Sequence, residues 1–149
     1  MLRAVIILVG MLWSGVAFAQ TGNAEDANTA FKEGAAAYAE KRYAEAAKAF
    51  EAFLQKYPGD ELAPNAQYWL GEAHYVSQNN AAAQQAFEVV VSQYPDSNKA
   101  PGALFKIGRL QQAAGNSAAA RGSYQRVLDD YPDAPAAGLA RQRLDQLGR

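Results

Sequence analysis

The chain has 149 residues and a net charge of −1 from 14 basic and 15 acidic side chains, so it has the size of one domain and lacks the basic excess of a general nucleic-acid binder. It holds no cysteine and one histidine, which excludes disulfides, thiolate metal sites, cysteine nucleophiles and lipidation on an amino-terminal cysteine. Alanine, the strongest helix former, fills 33 positions while Val and Ile are scarce after the first twenty, a balance that predicts an all-α chain.

Met1-Leu2-Arg3 gives a short positive start, and the 13 residues Ala4 to Val16 are almost wholly apolar. Ala17-Phe18-Ala19 before Gln20 has the small-x-small form that signal peptidase cuts. About 20 apolar residues are needed to cross the hydrocarbon core, so this run is short for a span. Residues 1–19 are therefore expected to be an export signal and 20–25 a short linker. The mature chain is expected in the periplasm, with no membrane insertion after cleavage.

Beyond residue 25 the chain repeats. Tyr57-Pro58, Tyr94-Pro95 and Tyr131-Pro132 are each 37 residues apart. The same shift carries Gly34 onto Gly71 and Gly108, Ala46 onto Ala83 and Ala120, and Phe50 onto Phe87 and Tyr124. Four columns in fixed register across three copies establish an internal repeat over 26–133.

Each copy reads as a helix pair. Copy one starts near Asp26 or Asn28, turns around Lys41-Arg42 and stops at Tyr57-Pro58. In copy two, Asp60 caps a helix that carries Pro64 in its first turn and runs to Gln78-Asn79-Asn80. A second helix follows from Ala81 to Tyr94, where Pro95 disfavours helical geometry at the residue before it. Copy three repeats this with Ser97 as cap, Pro101 in the first turn, Gly115-Asn116 between helices and a stop at Tyr131-Pro132. Residues 134–149 read as a capping helix with Leu139, Leu144 and Leu147 on its apolar side and Arg141, Arg143 and Arg149 toward water. The small residues let paired helices approach closely, and Phe50, Phe87 and Tyr124 are expected to fill the wedge between each pair and its neighbour. Since one pair cannot bury this face alone, the copies are expected to stack into a solenoid of three helix pairs plus the cap.

The Gly34/Gly71/Gly108 column, the Ala twelve later, the aromatic four after that and the Pro eight further on resemble the tetratricopeptide repeat. More narrowly, Pro64 to Glu72 (PNAQYWLGE), Tyr94 to Ala100, Ala103 to Gly108 and Tyr124 to Leu128 resemble the carboxy-terminal domain of the Tol-Pal system protein YbgF, the cell division coordinator CpoB. That resemblance implies a periplasmic scaffold that associates with TolA or the peptidoglycan synthase machinery and links envelope constriction with peptidoglycan synthesis. Members of that family carry a trimerising coiled coil between signal and repeats. Gln20 to Glu25 are too few for a heptad array, so self-association stays open.

The residues point away from catalysis. His74 lacks companions at metal-ligand spacing, because Glu72 two positions away faces another direction on a helix. No serine has a positioned base and no glycine-rich phosphate loop occurs, so neither an enzyme nor a cofactor is expected. What remains is a surface. In a tetratricopeptide superhelix the first helix of each pair lines the groove, and equivalent positions there hold Asn28, Asn65 and Gly102; Phe31, Tyr68 and Phe105; Ala35, Glu72 and Arg109; and Tyr38, Tyr75 and Gln112. Steps of three, four and seven keep each helix's members on one face. The expected site is an aromatic stripe, with the Tyr68 and Tyr75 hydroxyls projecting across a floor completed by Phe31 and Phe105. Charge is uneven as well: Glu25 to Glu88 holds five basic and ten acidic residues, Val89 to Arg149 eight and five. The expected function is protein binding in the envelope. Alternatives are a scaffold of another envelope assembly, such as outer-membrane protein insertion, or a peptidoglycan-binding module, since aromatic stripes also stack on sugars.

Overall fold

Residues 14–148 are described by a computed structural model, with side chains described from residue 24 onward. Among the described residues seven helices follow in order: α1 (Ser14–Ala39), α2 (Tyr43–Lys56), α3 (Ala63–Val76), α4 (Asn80–Gln93), α5 (Ala100–Ala113), α6 (Ser117–Asp130) and α7 (Pro135–Leu147). Helices α1/α2, α3/α4 and α5/α6 pack as pairs, each second helix also packs on the next first helix, and α7 closes on α6 and α5. The expected all-α solenoid of three pairs plus a cap is the observed architecture.

The 37-residue period is written into the backbone. Lys41, Gln78 and Gly115 occupy the same left-handed position between paired helices, with φ of 62°, 60° and 80°. The residues that follow set the next helix: Asn79 and Asn116 accept from the Ala82 and Ala119 amides. Tyr57, Tyr94 and Tyr131 end the second helices with nearly one geometry, φ −129°, −130° and −137°. Proline explains this, since the residue before it is barred from helical geometry. The Tyr131 hydroxyl donates to the Pro95 carbonyl at 3.0 Å, tying one Tyr-Pro corner to the corner of the preceding copy.

Packing follows the small-residue columns. A Cβ built on Gly34, Gly71 or Gly108 would lie 2.8, 2.6 or 2.5 Å from Phe50, Phe87 or Tyr124. Those three rings are fully buried, as are Ala46, Ala83 and Ala120. Each ring therefore presses against the preceding helix at a position without a side chain.

Four expectations are corrected. The first helix begins at Ser14 rather than near Asp26 or Asn28, because no proline interrupts the alanine-rich stretch; the Ala17-Phe18-Ala19 site and the linker fall inside it, and burial starts at Ala27 among the described side chains. Met1 to Trp13, the rest of the proposed signal, lies outside the described residues. Asp60 acts one turn early: its carboxylate accepts from the Leu62 amide at 2.8 Å, and Leu62 is the residue that precedes α3. Ser97, the equivalent position, does not cap α5; its hydroxyl is one bond shorter than a carboxylate oxygen and lies buried without a partner. On α7 the buried stripe is Ala136, Ala137 and Ala140, continued by half-buried Leu144 and Leu147, whereas Leu139 sits roughly 100° off that stripe and is 50% exposed. Arg141 is exposed as expected, Arg143 is half-buried, and Arg149 lies outside the described residues. No described helix is long and apolar enough to cross a membrane.

Candidate functional site

The twelve register positions on α1, α3 and α5 separate into two kinds. Phe31, Tyr68 and Phe105 turn inward, each with its ring 5.5 Å from the wedge aromatic of its own pair, Phe50, Phe87 and Tyr124 respectively. Phe31 also meets Phe53 at 6.0 Å, and Phe105 is only 8% exposed. Tyr68 reaches across to α5, its ring edge and hydroxyl lying where a Cβ on Gly102 would make ordinary contact. This column belongs to the core, not to an open floor. The aromatic three residues before each glycine packs on the wedge ring at a tilt of 57°, 57° and 41° respectively.

The column Tyr38, Tyr75 and Gln112 stays at the surface, and residues outside the expected set join it. The Tyr38 ring stands edge-on to Trp69 at 4.9 Å and to Tyr43 at 5.2 Å. Ala35, Tyr38, Ala39 and Trp69 line an apolar cleft of about 160 Å³ between α1 and α3. One repeat further on, Tyr75 carries the Lys106 ammonium over its ring at 4.5 Å and the Arg109 guanidinium at 5.7 Å, an attraction of positive charge to the ring's electron-rich face. Lys106 also clasps both oxygens of Glu72, at 2.7 and 2.9 Å, bridging α5 to α3 with side chains 19% and 12% exposed. Gln112 accepts from the Tyr124 hydroxyl at 3.0 Å and is therefore held in place. Asn65 is half-buried on α3, while Asn28 is exposed and lines a separate cleft with Glu25, Asp60 and Glu61.

Burial raises the phenol pKa of Tyr68 and Tyr38, with the Glu72 charge adding to both and a hydrogen bond to Glu72 adding at Tyr68. Burial also raises Tyr124 and Tyr131. A folded pKa above the unfolded value of about 10 gives a contribution that is complete below that pH and is lost as pH climbs through the raised values. The melting temperature is expected to hold up to about pH 9.5 and to fall above about pH 10. Tyr68→Phe should flatten that fall in melts followed by far-UV circular dichroism; an unchanged slope would show that Tyr68 does not take part in it.

His74 turns to the second-helix side, where its Nε2 lies 3.9 Å from Glu51 rather than against the aromatic face. The face residues that register reading missed are Trp69, Lys106 and Lys99. Trp69 sits three before Glu72 and four after Asn65, so the same three- and four-residue steps reach it. Lys99, whose ammonium stands 5.6 Å over the Tyr68 ring, precedes α5 and lies outside any helical periodicity.

Solved structures share this fold. The chain superposes on the tetratricopeptide domain of Arabidopsis OM64 with a TM-score of 0.67 at 17% identity, covering 83% of this chain and 98% of that one. The amino-terminal domain of stress-induced protein-1 (STI-1) from C. elegans gives a TM-score of 0.71 at 17% identity, covering 85% and 98%. No curated protein matches the sequence. The model of the YfiO family, described as outer membrane lipoprotein, matches residues 23–148. The tetratricopeptide resemblance is thus upheld, while the family matched is not the narrower one suggested by the Tyr-Trp-Leu-Gly-Glu block. With a repeat solenoid in every described helix pair and a family match from residue 23 to residue 148, the chain belongs to the YfiO family of outer membrane lipoproteins.

Proposed function

We propose that the chain is a cell-envelope scaffold that holds a segment of a partner protein against the face formed by α1, α3 and α5. The observation that carries this reading is the adjacency on that face of an apolar aromatic cleft at Tyr38 and Trp69 and a cationic cluster on Tyr75. Interfaces favour such aromatic and arginine anchors. Membership of an outer membrane lipoprotein family supports an envelope setting and favours outer-membrane protein assembly as the task. The 149 residues hold no cysteine, so a diacyl anchor has no thiol within them. We accordingly propose that export by residues 1–19 delivers the chain to the periplasm and that its hold on the outer membrane passes through the partner. A second reading, association with TolA and coordination of constriction with peptidoglycan synthesis, is supported by the Tyr68-Trp69-Leu70-Gly71-Glu72 block, which sets Trp69 and Glu72 in the middle of the face.

Affinity capture from envelope extract tests the reading with variants that spare the core. Tyr68 is unsuitable, because cutting it back would strip the cover from Phe87. Arg109→Glu is expected to lower recovery of an outer-membrane assembly factor at least tenfold, about 1.4 kcal/mol, with the melting temperature unchanged. Arg126→Glu, on exposed α6 and paired with Asp130 at 3.7 Å, should recover the partner normally. Recovery of TolA instead would favour the second reading, and retention on purified sacculi a sugar-binding role. Loss confined to Arg126→Glu would place the partner on the second helices and remove the docking face described above.

A further inference from the structure

The joint between α1 and α3 opens into two clefts. Ala35, Tyr38, Ala39 and Trp69 line the apolar one, and Ala24, Glu25, Asn28, Asp60, Glu61 and Leu62 line a second of about 480 Å³. Both open along one stripe of α1, because Ala35 and Ala39 follow Asn28 by seven and eleven residues, close to two and three whole turns. Helix α1 runs unbroken from Ser14 to Ala39, so its own rise of about 1.5 Å per residue gives the separation: the ten residues from Asn28 to Tyr38 span about 15 Å. An extended chain, rising about 3.3 Å per residue, crosses that distance in about five residues.

Three carboxylates stand around the second cleft. Glu25 and Glu61 are exposed and Asp60 is half-buried, and none of them forms an ion pair among the described residues. No basic side chain lines either cleft. Lys32 falls between them along α1, but it holds the register place of Trp69 and Lys106, which lean back onto Tyr38 and Glu72 of the preceding first helix. The same lean carries Lys32 to the side of α1 away from α3. Glu72 is already matched by Lys106, so the uncompensated negative charge of this joint gathers at its amino-terminal end. Like charges without a counter-charge set up a potential that draws cations and repels an acidic chain. The stretch Glu25 to Glu88, which contains the joint, agrees in sign with five basic and ten acidic residues.

We infer that the segment seated in the Tyr38–Trp69 cleft belongs to a partner protein and is cationic toward α1's amino-terminal end: it sets an apolar side chain in that cleft and, about five residues away in an extended chain, offers Lys or Arg side chains to Glu25, Asp60 and Glu61. This rests on the reading of the first-helix face as the docking surface. It names the charge that the docked segment carries at the end of the first helices away from Tyr75.

The test uses the full mature chain and fluorescein-labelled peptides of Ser and Gly, acetylated and amidated at their ends, each with one central Leu and, about five residues to either side of it, two Lys, two Gln or two Glu. Fluorescence anisotropy is expected to show the Lys peptide binding at least tenfold more tightly than the Gln peptide, with the difference shrinking in high salt. Glu25→Gln and Glu61→Gln should each weaken the Lys peptide at least threefold, leave the Gln peptide unchanged and keep the melting temperature. Ala35→Leu, which fills the apolar cleft, should weaken both peptides. A Lys peptide with its charges directly beside the Leu should lose most of the advantage; if it bound as tightly, the spanning of two clefts would be overturned. Equal binding of Lys and Gln peptides, still weakened by Ala35→Leu, would overturn the cationic requirement and keep the docking face. Preference for the Glu peptide, or no binding by any of them, would overturn the inference. Binding that is insensitive to Ala35→Leu and to both glutamate changes but lost in Glu88→Gln, on α4, would remove the docking face itself.

Discussion

Phe87→Ala is expected to destabilise the protein by about 3–5 kcal/mol, the range for removing a buried aromatic ring whose surroundings collapse only in part. Phe87 is 0% exposed and is boxed in on every side. Gly71 lies under the ring, the Tyr68 ring lies over it at 5.5 Å, and Val90, Ala100, Ala103, Ile107 and Leu110 complete its cluster. Three of those neighbours come from its own helix pair and four from α5, so the cavity would open at the joint between repeats. Gln84→Ala serves as the control, since Gln84 only bonds Glu88 one turn along α4 at 2.8 Å on the exposed side. Surface changes of that kind cost within about 0.5 kcal/mol. Urea denaturation distinguishes the two: a large fall in midpoint for Phe87→Ala beside a near-native Gln84→Ala supports the wedge. Equal small losses would show that the repeats do not pack through this ring.

Glycine-to-alanine substitution is expected to change stability in opposite directions at two helical sites. At Gly71 a methyl group would meet the Phe87 ring at 2.6 Å, inside any normal carbon contact, and the fully buried ring has nowhere to retreat. Overpacking of that kind costs about 1–3 kcal/mol and outweighs the gain of up to about 1 kcal/mol that alanine brings to a helix. At Gly122, in the interior of α6, a Cβ meets nothing within 4 Å. Gly122→Ala should therefore raise stability by about 0.5–1 kcal/mol. Melting temperatures moving apart in this way would confirm that the glycine column is held by contact with the wedge aromatics. A stabilised Gly71→Ala would show that the α3/α4 pair can separate at no cost.

The ends of the second helices and the turns within each pair were legible because local chemistry sets them, whereas the start of α1 was not. Proline after each tyrosine bars the helix from continuing, and the turns at Lys41, Gln78 and Gly115 recur wherever the sequence breaks its amphipathic pattern. Register found the glycine and aromatic columns but expected the rings between neighbouring pairs; the structure sets Phe50, Phe87 and Tyr124 on Gly34, Gly71 and Gly108 of their own pairs. The caps were less legible. Asp60 and Ser97 occupy equivalent places, yet only the longer carboxylate reaches an amide, a difference of one bond that periodicity does not register. Leu139 was misplaced for a related reason: alanines at 136, 137 and 140 are small enough to let α7 sit close, and that contact rather than leucine content selected its inner face.

By itself, then, the sequence determined the repeat and its seven helices, because each depends on interactions within one pair or on residues adjacent in the chain. Only the tertiary structure decided which aromatics face inward. Tyr68 and Tyr75 lie seven residues apart on one helical face and are equivalent by periodicity, but Tyr68 falls opposite Phe87 and Gly102 and is drawn into the core, whereas Tyr75 falls opposite Lys106 and Arg109 and becomes the platform for their charges. The Glu72–Lys106 bridge spans 34 residues and joins α5 to α3. Ion pairing depends on the distance between helices, a quantity fixed by how side chains interlock across each joint and not by the period of any single helix.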